Sequence, residues 1–110
     1  MIHYLDNAAT TPVRPEAAQA ALDAMQRLWW NPSSQYGPAR STQAALEGWR
    51  RESAQGLGCR PEEFFFTSGG TEGDNWAIAA AAELGRHRGK HIITTAIEHD
   101  GVLQPCKALE

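Results

Sequence analysis

Phe64-Phe65-Phe66-Thr67-Ser68-Gly69-Gly70-Thr71-Glu72-Gly73 is the stretch on which the reading of this chain turns. Phe64 to Thr67 is short, aromatic and apolar, the pattern of a buried β-strand. The paired glycines then let the backbone turn sharply and let a ligand approach the main-chain amides closely. From Thr71 to about Arg86 the sequence is rich in alanine and predicts a helix. Its free N–H groups and positive dipole end would point into the turn. That geometry suits a phosphate, with Thr71 and Ser68 able to add hydroxyl donors. Neither Gly-Lys-Ser/Thr nor GxGxxG is present, so this is not an NTPase phosphate loop and not a dinucleotide fingerprint. The same residues also read as a plain glycine turn, with Thr71 capping the helix and Glu72 in its first turn. Both readings stand at this point.

Working outward, Gly89 breaks the helix, and His91-Ile92-Ile93-Thr94-Thr95-Ala96 predicts a second strand. Strand, helix, strand is a βαβ unit, which implies parallel strands joined by a right-handed crossover. Ligands of open α/β sheets bind at the carboxyl ends of strands, so Glu98-His99 would face the same pocket as Gly70 and Thr71. An imidazole there can stack on a flat ring or move protons near neutral pH, and it can equally cap a helix. A last amphipathic helix, with Val102, Leu103, Cys106 and Leu109 on its apolar side, is expected to run to the end of the chain. Upstream, helices are predicted from about Pro15 to Trp30, with a stripe of Ala18, Leu22, Met25 and Trp29, and from about Ala39 to Leu57. Gly58 is the stop signal of the second. Asn31 to Pro38 is a loop by composition. The chain opens with an extended stretch, Ile2 to Leu5, leading into Asp6-Asn7-Ala8-Ala9-Thr10-Thr11-Pro12, which reads as a turn or as the lining of a small polar pocket. The expected class is α/β, a βαβ unit preceded by two helices.

Composition narrows the function classes. The chain has 110 residues, 42% hydrophobic and 21% charged, which is ordinary globular material. Its formal charge of -3 argues against a nucleic-acid partner, which needs clustered Lys and Arg. No apolar run approaches the roughly 20 residues of a membrane span, and the opening residues form no signal peptide, so a cytoplasmic location is expected. Cys59 and Cys106 have no CxxC spacing and read as inert thiols. His3, His87 and His91 have no metal spacing, so no metal is expected.

Taken together, Tyr4 to Pro12, Asn31-Pro32-Ser33-Ser34, Phe66 to Glu72 with Asp74-Asn75, His91 to Thr94 and Glu98-His99 resemble the cysteine desulfurases in order and spacing. The Ser-Gly-Gly-Thr-Glu and Glu-His versions are similar to the group that includes the nitrogen-fixation and housekeeping iron–sulfur enzymes. The resemblance covers essentially the whole chain. It implies the amino-terminal part of a fold-type I, class V aminotransferase-like large domain that depends on pyridoxal 5'-phosphate (PLP). It implies that Gly70 and Thr71 hold the PLP phosphate and that His99 stacks on the pyridine ring and assists proton transfer. Asn7 and Ala8 would lie near the substrate, L-cysteine. The implied reaction gives alanine and an enzyme-bound persulfide. The implied partners are a second subunit, in a homodimer, and an iron–sulfur scaffold or other sulfur acceptor.

Tyr36, Ala39 and Gly73 stand where the family usually has His, Gly and Ser. The family's Schiff-base lysine lies in a downstream Ser-Gly-His-Lys motif, and Lys90 and Lys107 sit in no such motif. Neither cysteine matches the family's mobile persulfide loop. The expectation is therefore an incomplete domain over residues 1–110, inactive alone, of marginal stability and prone to self-association. A non-catalytic interaction module derived from a desulfurase, or a segment of another class V aminotransferase-like enzyme, are the alternatives.

Overall fold

In the computed structural model, residues 3–110 are described; Ile2, at the start of the expected extended opening, lies outside the described residues. The elements are α1 (Pro15–Arg27), α2 (Gly37–Leu57), a short 3-10 helix (Pro61–Glu63), α3 (Gly70–Gly85) and α4 (Asp100–Ala108). They divide into a unit that ends at Phe64 and a unit running from Phe65 to Glu110. Among the described residues, no helix is long and apolar enough to cross a membrane.

In the first unit, α1 begins on Pro15 and α2 carries Pro38 as its second residue, and proline's fixed φ and missing N–H suit a first helical turn. Gly58 ends α2 at φ 70, in the left-handed region. There the Cys59 amide donates to the Ala54 carbonyl (3.0 Å) and the Gly58 amide to that of Gln55 (3.2 Å), which satisfies the carbonyls a helix end leaves open. The 3-10 helix packs on α2, where the Arg50 guanidinium donates to the Phe64 carbonyl at 2.7 Å. Glu63 closes its start by accepting from both the side chain and the backbone of Arg60, and these bonds hold its carboxyl below the ordinary glutamate range. Between the helices, Trp30 stacks on Trp29 (3.8 Å between ring centroids) and meets Tyr36 edge-on (5.9 Å). The buried residues are small: Ala39, Thr42 and Ala54.

In the second unit α3 and α4 pack on one another. Pro105 sits inside α4, a residue type that removes one helix hydrogen bond and normally breaks a helix. Phe65 meets Trp76 of α3 edge-on, with ring centroids 5.2 Å apart.

The helices fall within a few residues of their predicted bounds, although α1 ends at Arg27 rather than Trp30 and α4 at Ala108. The strands are different. Among the described residues none is a strand, so of the expected βαβ unit only the central helix is seen. Phe64 to Thr67 and His91 to Thr95 flank α3 without regular structure, and Phe65, Phe66 and Ile93 are exposed rather than buried. The reason is that a strand is not a local object: its N–H and C=O groups need a partner segment to exchange bonds with, whereas a helix satisfies itself. The same holds for the helix stripe, since Leu22 and Met25 lie open on α1 and Trp29 lies open just beyond its end.

Amide hydrogen exchange on the chain should show Ile92, Ile93 and Thr94 exchanging at nearly unprotected rates while the interior of α2 is protected. Slowing of those three amides beyond about tenfold would mean that a ladder has formed.

Candidate functional site

The bend before α3 is not made by unusual glycine conformations. Gly69 is extended (φ 163, ψ 179) and Gly70 is the first residue of the helix, so any residue could follow this path. What the glycines provide is room: a Cβ placed on either meets nothing within 4 Å. Gly69 also brings no capping side chain, so the leading amides of α3 stay uncovered. Gly70 and Thr71 are both exposed at this end.

Ser68 is taken. Its amide donates to Oε2 of Glu72 at 2.6 Å, and its hydroxyl bonds the same carboxylate. With Glu72 placed in the first turn, where the helix dipole favours a carboxylate, Ser68 supports the loop through that residue. The Thr67 hydroxyl donates to the Gly69 carbonyl at 3.1 Å. Residues 67–72 are thus pinned by their own side chains, which leaves Gly70 and Thr71 as the groups presented outward.

His99 is the N-cap of α4, where its Nδ1 accepts from the Gly101 amide at 2.9 Å. With Nδ1 taken up by that amide, Nε2 is the ring nitrogen left for another partner. The capping role is therefore real, and it also fixes where the imidazole stands. A Cβ placed on the buried Gly101 would lie 3.1 Å from His99 Nδ1, 3.4 Å from Asp74 Oδ2 and 3.4 Å from Thr71 Cα. These groups converge on one point, so His99 and the first turn of α3 share a single locality. Asn75 spans it, donating from Nδ2 to the Thr71 carbonyl (2.8 Å) and to the Gly101 carbonyl (3.2 Å).

Asn7 and Ala8 belong to the other unit, exposed in a turn where the Ala9 amide donates to the Asp6 carbonyl at 3.2 Å. The Tyr4 hydroxyl donates to the same carbonyl at 2.8 Å. Cys59 and Cys106 are free and half-buried. No group of three or more potential metal ligands gathers among the described residues. Sequence reasoning missed Asn75 and Gly101 as parts of the locality. The available signal was Pro105, because a proline within a predicted helix raises the question of what satisfies the carbonyl four residues back.

The Aminotransferase class-V family profile matches residues 3–110. Cysteine desulfurase IscS of Methanosarcina thermophila is 49% identical over 107 residues, 97% of this chain and 26% of the relative. Cysteine desulfurase IscS of Dictyoglomus turgidum is 45% identical over 97% of this chain and 27% of the relative. A solved structure titled as a NifS-like protein superposes with a TM-score of 0.84 at 37% identity, over 94% of this chain and 28% of its own. The chain thus spans about a quarter of the length of the curated relatives it matches, corresponding to their amino-terminal portion.

The Ser68 backbone bond, and after it the Ser68 hydroxyl, hold the Glu72 carboxyl below the ordinary glutamate range. A depressed carboxylate supports the loop at neutral pH and loses that contribution as pH falls through its own value. A carbon-detected NMR titration should place the Glu72 midpoint below the usual one. Ser68→Ala should raise it only partway, since the backbone bond remains; a full return to the ordinary value would contradict the order of causes.

Proposed function

The chain belongs to the aminotransferase class-V family, and we propose that it forms the amino-terminal segment of a PLP-dependent cysteine desulfurase. The reaction is the transfer of sulfur from L-cysteine to an enzyme thiol, leaving L-alanine and an enzyme persulfide that serves iron–sulfur cluster assembly. The observation that carries this reading is the open amino terminus of α3 beside His99, held in place by its bond to the Gly101 amide.

The residues present fit the cofactor. A phosphate needs donors without a competing side chain, and Gly69 and Gly70 leave that space clear. The Gly70 and Thr71 amides and the Thr71 hydroxyl bind the phosphate. His99 would lie against the ring, with Nε2 as its free nitrogen. Asn7 and Ala8 border the substrate. When bound, PLP supplies the electron sink for the chemistry at the substrate carbon. In the complete enzyme, Phe64 to Thr67 and His91 to Ala96 become parallel strands of the large domain on either side of α3, closing the βαβ unit of a fold-type I transferase. A homodimer, a sulfur-accepting scaffold and a cytoplasmic setting belong to the same reading.

Lys90 and Lys107 lie in no motif suited to the Schiff-base role, so the chain alone is expected to be inactive. Sulfide release from L-cysteine should be undetectable with the purified chain and PLP. It should appear when the chain replaces the matching segment of the Methanosarcina thermophila relative. In that joined enzyme Thr71→Ala should weaken PLP binding about tenfold or more, the usual effect of losing a hydrogen bond to a charged group. Turnover by the chain alone, or an inactive joined enzyme that still folds and dimerises, would overturn the proposal; the latter would favour an interaction module.

A further inference from the structure

We propose that Asn75 is a positioning residue: its carboxamide stands in for the N–H that Pro105 lacks, and so fixes the His99-capped end of α4 on the first turn of α3. The functional meaning of this rests on the reading of Thr71 and His99 as cofactor contacts; the geometry does not.

In an uninterrupted helix the amide of residue 105 would donate to the carbonyl of residue 101. Proline has no such amide, and its ring also crowds the carbonyl four residues back, which turns that carbonyl outward. Gly101 is buried, which limits what water can offer its carbonyl, and an acceptor left unsatisfied there destabilises. The Asn75 Nδ2 lies 3.2 Å from that oxygen. The same nitrogen lies 2.8 Å from the Thr71 carbonyl, one turn back on α3. A primary amide carries two N–H groups, so one side chain serves both carbonyls. One of those carbonyls belongs to a residue that presents the phosphate donors. The other lies two residues from the imidazole, in the residue whose amide His99 caps.

Glycine at 101 suits this approach: an alanine Cβ would touch Thr71 Cα at 3.4 Å, an ordinary contact, and would press on His99 Nδ1 at 3.1 Å, so the ring would have to give by a few tenths of an ångström. Gly101, Pro105 and Asn75 therefore form one device: the proline frees a carbonyl, the glycine lets it reach α3, and the asparagine takes it up.

The test is a double-mutant cycle in the full chain with Asn75→Ala, Pro105→Ala and both together. The exchange rate of the Gly101 amide reports whether the His99 cap is closed, and denaturant unfolding reports stability. Asn75→Ala should accelerate Gly101 exchange about tenfold. Pro105→Ala, which returns a backbone donor to the Gly101 carbonyl, should remove most of that effect. A residue that merely fills space would not be rescued in this way. Asn75→Asp, similar in shape but with no donor, should behave like Asn75→Ala or worse. If Asn75→Ala does not fold alone, rescue is read as recovery of helical circular dichroism in the double variant. An equal effect of Asn75→Ala in both backgrounds, or wild-type behaviour of Asn75→Asp, would overturn the proposal. The cofactor reading is scored apart from this, by the PLP affinity of Thr71→Ala in the joined enzyme. Loss of the 75–105 coupling with that affinity still reduced sinks only the role of Asn75, and the reverse pattern sinks only the cofactor reading.

Discussion

The close approach of α4 to the first turn of α3, at Gly101, is the constraint on which the candidate site depends. Local preference alone would not choose it. Glycine in a helix is disfavoured by about 1 kcal/mol against alanine, and an interior proline by about 3 kcal/mol. Both stand within the nine residues of α4. They are tolerated because each removes an obstacle to the neighbouring helix. The missing Cβ admits Thr71 and His99 at van der Waals distance, and the missing N–H leaves a carbonyl that Asn75 can take. Tertiary geometry outweighs propensity here.

The first unit is held by a related economy of small residues and satisfied backbone ends, not by a large apolar core. Ala39 and Ala54 are its buried apolar residues. Ala54 is also the residue whose carbonyl closes the end of α2 against Cys59, so burial and capping coincide at one position. The bulky residues do not take part in the same way: Trp49 is 42% exposed and Leu57 72%. In the second unit Ile93 and Ile97 are 86% and 93% exposed. Burying one such side chain is worth about 1.5–3 kcal/mol. Covering several of them would therefore contribute on the scale of a whole domain's net stability. The apolar pattern in the sequence is written for more surface than these residues supply to one another, in keeping with relatives about four times as long.

This is also why the sequence was legible in some places and not in others. Helices announce themselves locally, through proline at their starts, the left-handed Gly58 and periodic apolar positions, and all four stand close to where those signals put them. Phe64 to Thr67 and His91 to Ala96 carry the composition of strands, but composition cannot supply the partner that makes a strand. At the candidate site, the sequence pointed to Thr71 through a helix start, a local signal, and to His99 through the end of an expected strand that is not seen among the described residues. The bond from Ser68 to Glu72, four residues on, was not read from the sequence, because a turn of unknown geometry does not show which carboxylate its amides will reach. Asn75 was invisible because its second acceptor is 26 residues away.

Two helix starts of the same dipole sign meet at this point, yet only one suits an anion. The amide of Gly101 in the first turn of α4 is engaged by His99, and the Asp74 and Asp100 carboxylates stand at that end. An incoming phosphate meets an occupied donor and negative charge there. At α3 the one carboxylate of the first turn, Glu72, is drawn back onto Ser68, and Gly69 leaves the amides uncovered. In the proposed reading this favours α3 over α4 as the place for the anion. The same cap decides how His99 can act. With Nδ1 held by the Gly101 amide, the proposed contact with a flat ring is left to the imidazole face and Nε2. The bond that opens α4 thus fixes where the imidazole stands beside α3.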